Sequence, residues 1–234
     1  MPAKPWTSVT FDDSLVSNLV SVLLTWSHES YQWMDQELFL KAMCEGNTKS
    51  PCCSSFLVNA MLCCACPYSD YQEARTKMAK MSNLWYSFSE EAERLLQDID
   101  ESQASLATAQ GLSYLFPAYC SAGQASLGYQ AMNRAIAMCQ RFEERYASVL
   151  NDSSIASEHQ GTFEKAVDTT PWGIFDIATR AWLAFRKVPP IHPSERKLPI
   201  SKLAIATWTT YPLTILLWFY IQQWALVRAT TPRI

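Results

Sequence analysis

The sequence predicts an all-α protein, a multi-helix bundle or solenoid-like array of antiparallel helices. Three observations carry that expectation. Only six glycines occur in 234 residues, and the tight-turn dipeptides Asn-Gly and Asp-Gly are absent, whereas an all-β plan needs many such turns. Apolar residues recur at helical spacing through most of the chain. Polar capping residues, glycines and prolines punctuate the runs.

The helices follow in order. Residues 1–11 have no periodicity and read as a disordered N-terminus. Asp12, Asp13 and Ser14 then supply acidic or capping groups ahead of Leu15, Leu19, Val22, Leu23 and Trp26, an amphipathic series. An aromatic link, SHESYQWM, leads to a short helix from about Asp35 to Cys44 that stops at Glu45-Gly46-Asn47. CSSFLVNAMLCCACPYSD reads as a helix capped by Ser54 or Ser55 and ended by Pro67. A helix over 82–99 places Leu84, Trp85, Phe88, Ala92, Leu95 and Leu96 on one side. The next spans about Ser105 to Cys120, with a break or kink expected at Pro117. Gly123 lies in a turn, and Gln124 to Tyr146 forms a helix whose Ala131, Ala135 and Met138 allow close packing. Residues 151–161 read as a loop, and Phe163 to Phe185 as a helix bent at Pro171. VPPIHPSERKLP must be extended, and one more apolar helix closes the sequence. Residues 12–199 thus form the helical domain, and 200–234 a continuation of it.

Composition excludes some functions. The net charge is −3 and no dense Lys/Arg run exists, so the basic face that phosphate binding needs is missing. Direct nucleic-acid contact is not expected. No apolar secretory core opens the chain, so its eight cysteines are expected as thiols in a reducing compartment.

Reactive centres are equally hard to assemble. Cys63 and Cys66 have the CxxC spacing of a zinc or redox pair, but both fall inside a predicted helix. Cys52 and Cys53 are adjacent and point apart. Helix filling is the favoured reading over a metal site or a redox pair. His28, His159 and His192 are the only histidines, and no pattern links one to a nucleophile. The acids Glu90, Glu91, Glu93, Asp98, Asp100 and Glu101 surround Arg94 on what should be a solvated face. Asn59 is polar in an apolar helix and must find partners, most simply a neighbour's backbone. From Leu203 to Val227 no residue is charged, a length that could span a bilayer. Threonines, Pro212, Gln222 and Gln223 interrupt it, so a membrane anchor is the minority reading.

Four segments, in order, resemble the regulatory middle region of fungal binuclear zinc-cluster transcription factors. LLTWSHESYQWMDQELFLKAM carries Trp26 and His28, and CSSFLVNAMLCCACPYSD carries Asn59 and Tyr68. SLATAQGLSYLFPAYCSAGQASLGYQAMNRAIAMC carries Gln110 and Gly123, and EKAVDTTPWGIFDIATRAWLAFRKVPPI carries Trp172, Gly173 and Pro190. The resemblance covers about residues 15–212 and implies these nine as structural motif positions. At the cysteine positions the family ordinarily has small residues. Family members carry a CxxCxxxxxxCxxC zinc cluster before this region, whereas here no cysteine precedes Cys44, so DNA binding is not implied. The sequence then represents a shortened paralogue or an incomplete gene.

The resemblance implies a nuclear regulator of RNA polymerase II transcription. It would act through protein partners, a homodimer or a small-molecule effector, with no cofactor, metal or catalytic residue; cytoplasmic placement is the alternative. The rivals are an enzyme on the same helical scaffold and a tail-anchored membrane protein.

Overall fold

The computed structural model describes residues 1–27, 34–69, 83–100, 105–150 and 160–184. Among them are seven α-helices and no strand: α1 Asp13–Ser27, α2 Gln36–Cys44, α3 Ser55–Ala65, α4 Leu84–Gln97, α5 Leu106–Ser121, α6 Ala125–Leu150 and α7 Gln160–Ala184. A single 3-10 turn, Cys66–Tyr68, follows α3.

Local chemistry fixes most starts. Asp12 Oδ1 accepts from the amides of Ser14 and Leu15 at 2.8 and 3.1 Å. Asp35, Ser54, Asn83 and Ser105 play the same part for α2, α3, α4 and α5. Each satisfies a first-turn amide that would otherwise lack a partner. Gly46 and Gly123 stand at φ 64° and 79° just beyond α2 and α5, a backbone region that side chains with a Cβ rarely enter.

Two expectations are corrected. The break expected at Pro117 does not occur, and α5 runs through it as one helix, as α7 does through Pro171. Each proline removes one backbone donor, but Phe116, Ala118 and Tyr119 are buried around the first, and Thr170, Ile174 and Phe175 around the second. Continued burial of those side chains outweighs one missing bond. The second correction concerns residues 1–11, which are ordered. Trp6 is only 1% exposed, and Ala3 and Thr7 are buried with it. A large aromatic ring sealed in the core fixes a segment that periodicity cannot register. Helix α6 runs past Tyr146 to Leu150, and α7 begins at Gln160. The C-terminal apolar helix, the proline-rich exit and residues 151–159 lie outside the described residues.

The centre of the fold is α3, whose residues from Phe56 to Ala65 are all buried. It packs on α5, α4 and α1, while α5 and α6 share the most extensive helix contact. The α6 face that meets α5 contains Ala131, Met132, Ala135 and Met138 in the core. A smaller cluster of Cys52, Leu106, Phe142, Phe163, Ala166 and Val167 attaches the first half of α7.

Close approach explains two glycines. A methyl on Gly111 would lie 2.6 Å from Phe56 Cε1 and 3.3 Å from Leu57 Cα, so α5 and α3 nearly touch there. On Gly128 it would meet Cys120 Sγ at 2.8 Å and Phe116 O at 3.0 Å. Gly111→Ala is therefore expected to destabilise by about 1–3 kcal/mol, the usual cost of overfilling a packed interface. That expectation stands although alanine favours a helix over glycine by about 1 kcal/mol. Urea unfolding monitored by circular dichroism measures it, and a raised midpoint would contradict the contact.

Candidate functional site

Three buried polar or thiol-bearing regions are the places where function could reside. The first surrounds Asn59 on α3. Its Nδ2 donates to Trp6 O at 3.0 Å and to Ser55 O at 2.8 Å, and its Oδ1 accepts from Thr7 Oγ1 at 2.8 Å. Trp6 Nε1 in turn donates to Met43 O at 2.9 Å. Asn59 thus joins α3 to the N-terminal segment through both ends of its amide. No charge or nucleophile faces it in these bonds.

The second region joins α5 to α7. Gln110, buried, donates from Nε2 to Thr170 Oγ1 at 3.0 Å, and that hydroxyl donates to Ala166 O at 2.9 Å. Further along α7, Asp176 pairs with Arg180. Burial raises the Asp176 carboxyl above its usual range against the lowering influence of the Arg180 charge. Trp172 meets Phe175 edge to face at 5.8 Å. Tyr129 stacks edge-on with both Phe116 and Trp182, linking α6 to α5 and α7.

The third is the cysteine seam. All eight cysteines are free thiols, and Cys52, Cys53, Cys63, Cys64, Cys66 and Cys139 are buried. Burial pushes Cys52, Cys64 and Cys66 up to about 12 and raises Cys53 and Cys63 as well. A thiol is a nucleophile or metal ligand only as the thiolate, so these sites hold it in its unreactive form. Cys63 Sγ points to Trp85 O at 3.6 Å and Cys66 Sγ to Leu62 O at 3.2 Å, both as donors to backbone. Among the described residues no three His, Cys, Asp or Glu side chains are grouped to hold a metal ion. With Ellman's reagent, exposed Cys44 is expected to react fastest and Cys120 next. The six buried thiols should react only at the rate of unfolding. Rapid labelling of Cys63 or Cys66 in folded protein would contradict this packing.

The motif positions fall in different places. Tyr68 ends the 3-10 turn and is 52% exposed. Gly123 turns the chain between α5 and α6. Trp172 and Gly173 lie on α7, and Trp26 in the last turn of α1. His28 and Pro190 lie outside the described residues, as do the other two histidines. The seven within the described residues are distributed over α1, α3, the 3-10 turn, α5, the turn after it and α7. On α4, Arg94 bridges Glu91 and Asp98, and its hydrogen bond holds the Glu91 carboxyl below the usual range. Glu93 behaves differently, accepting from Tyr119 Oη of α5 at 2.7 Å. Burial, and then this bond, raise the Tyr119 phenol.

The motif order coincides with a known profile. Residues 20–176 match the fungal specific transcription factor domain. The chain belongs to that family. Among curated proteins it is 32% identical over 213 residues to the notoamide biosynthesis transcriptional activator notL' of Aspergillus versicolor, covering 91% of this chain and 33% of that protein. It is 32% identical over 125 residues to the nitrogen assimilation transcription factor nirA of Emericella nidulans, covering 53% of this chain and 14% of that protein. With the nitrogen assimilation transcription factor nit-4 of Neurospora crassa the identity is 25% over 190 residues, covering 77% of this chain and 16% of that protein. The chain thus spans a third or less of the length of these relatives. No solved structure matches it. Among the described residues no helix of this fungal transcription factor domain is long and apolar enough to cross a membrane.

Proposed function

We propose that this domain regulates RNA polymerase II transcription in the nucleus through contacts with protein partners or a small-molecule effector, without catalysis of its own. The observation that carries the proposal is the family match over residues 20–176, which runs from α1 well into α7. The relatives' roles, notoamide biosynthesis and nitrogen assimilation, differ in target. Transcriptional control is what they share. The chemistry of the interior supports a non-enzymatic reading: Asn59 and Gln110 are engaged in joining α3 and α5 to their neighbours, and the buried thiols are held neutral. Regulation by such a domain is a shift between packed arrangements, limited by the effector's difference in affinity for them.

A reporter assay tests this. The chain is placed between a heterologous DNA-binding module and an activation segment. Expected are nuclear accumulation and output changed severalfold relative to the same fusion without the domain. Unchanged output from a fusion that is expressed and bound at the promoter overturns the proposal.

A further inference from the structure

Residues 1–11 form no helix, yet successive groups fasten them to three helices. Ala3 N donates to Asp13 Oδ1 of α1 at 2.8 Å. The Trp6 ring is sealed in the core, with its only polar atom bonded to Met43 O at the end of α2. Asn59 of α3 holds the Trp6 carbonyl and the Thr7 hydroxyl together. Beyond these anchors the hold relaxes, and Phe11 is 72% exposed just before α1.

This is the geometry of a bound peptide. One large ring fills an apolar crevice, its N–H is paired, and an amide from the receptor reads the adjacent backbone and hydroxyl. Helical periodicity plays no part in it. We propose that the crevice bounded by Met43 and Asn59 is a recognition site for an indole group, filled in cis by Trp6, and that the strap of residues 1–11 can be exchanged for another indole-bearing ligand. The ligand chemistry is a flat bicyclic ring with one N–H donor, followed in a peptide by a carbonyl and a hydroxyl. Exchange changes what holds α1, α2 and α3 together, because the strap is bonded to all three. The inference rests on these contacts and is independent of the transcriptional reading.

The test uses the full chain with a protease site inserted after Phe11, cleaved once folded. A labelled peptide of residues 1–11 is expected to exchange into the cut protein saturably. The same peptide carrying Trp6→Ala should compete at least about tenfold more weakly, as loss of a central aromatic anchor does. Free indole should also compete, and benzofuran, with the same shape and no donor, about fivefold more weakly, the worth of one net hydrogen bond. Competition by both peptide and free indole is the expected result; competition by peptide but not by free indole means that the flanking backbone carries the binding and overturns the indole assignment. In the uncut chain, Trp6→Gly should lower the melting temperature and added indole should raise it again. Equal competition by the Trp6→Ala peptide, unfolding on cleavage, or no thermal response of a folded Trp6→Gly chain to indole overturns the proposal.

Discussion

Replacing Asn59 with alanine is expected to cost about 3 kcal/mol of unfolding free energy, a large share of the roughly 5–15 kcal/mol that holds a domain folded. The size follows from what is left behind. The Trp6 carbonyl and the Thr7 hydroxyl lose the amide that joins them in the interior, and no water replaces it without opening the strap. Asn59→Asp is a sharper probe because it keeps the shape. It retains an acceptor for Thr7 but turns a second carboxylate oxygen toward Trp6 O and Ser55 O. Such a carboxyl binds its proton more tightly in the folded state than in the unfolded one. The Asp variant should therefore gain stability as the pH falls toward the acid range, opposite to a salt-bridged carboxylate. Urea unfolding of both variants across pH measures this. A loss below about 0.5 kcal/mol for Asn59→Ala, the level of an ordinary surface change, would contradict the role of the amide.

Alkali is expected to unfold the protein cooperatively between pH 9 and 12. In the unfolded chain the thiols ionise near their ordinary value of 9.0, whereas in the fold Cys52, Cys64 and Cys66 keep their protons to about 12, and burial raises Cys53 and Cys63 well above that ordinary value. Within that window the folded state binds more protons than the unfolded state, so stability falls as pH rises, and the contribution is intact below pH 9. Each fully differential thiol contributes a slope of about 1.4 kcal/mol per pH unit. Five acting together exceed the stability of a typical domain within one or two units. The buried Tyr119 phenol, also raised, pulls in the same direction. Thiolate absorbance near 240 nm should rise in step with the loss of helical circular dichroism. Gradual thiolate formation from pH 9 with the helices intact would mean that the seam is wet. Cys64→Ala and Cys66→Ala should move the midpoint to higher pH.

Capping chemistry and period carried most of the helices directly from the sequence. Asp12, Asp35 and Ser54 open the helices that follow them, and Gly46 and Gly123 stand where the chain must turn. These signals are local, so a single sequence displays them. The break expected at Pro117 misled for the opposite reason. The local penalty of a proline is legible, but the tertiary burial that overrides it is not. The strap was missed because Trp6 is anchored by residues as distant in sequence as Met43 and Asn59. Its one local clue is a tryptophan among the prolines of PAKPWT. For the interior polar positions, sequence indicated that Asn59 needs partners, but not that the strap supplies them. Nor could it show that Glu93 accepts a hydrogen bond from Tyr119 of α5.

A rod enclosed on every flank behaves unlike one lying on a surface. Because α3 has no outer side from Phe56 to Ala65, it cannot roll or slide by a small amount without displacing atoms in several directions at once. Close-packed matter resists gradual deformation and yields by jumping between discrete arrangements. Whatever pushes on this axle from one quarter is felt in all the others together, and the domain answers as a whole or stays put.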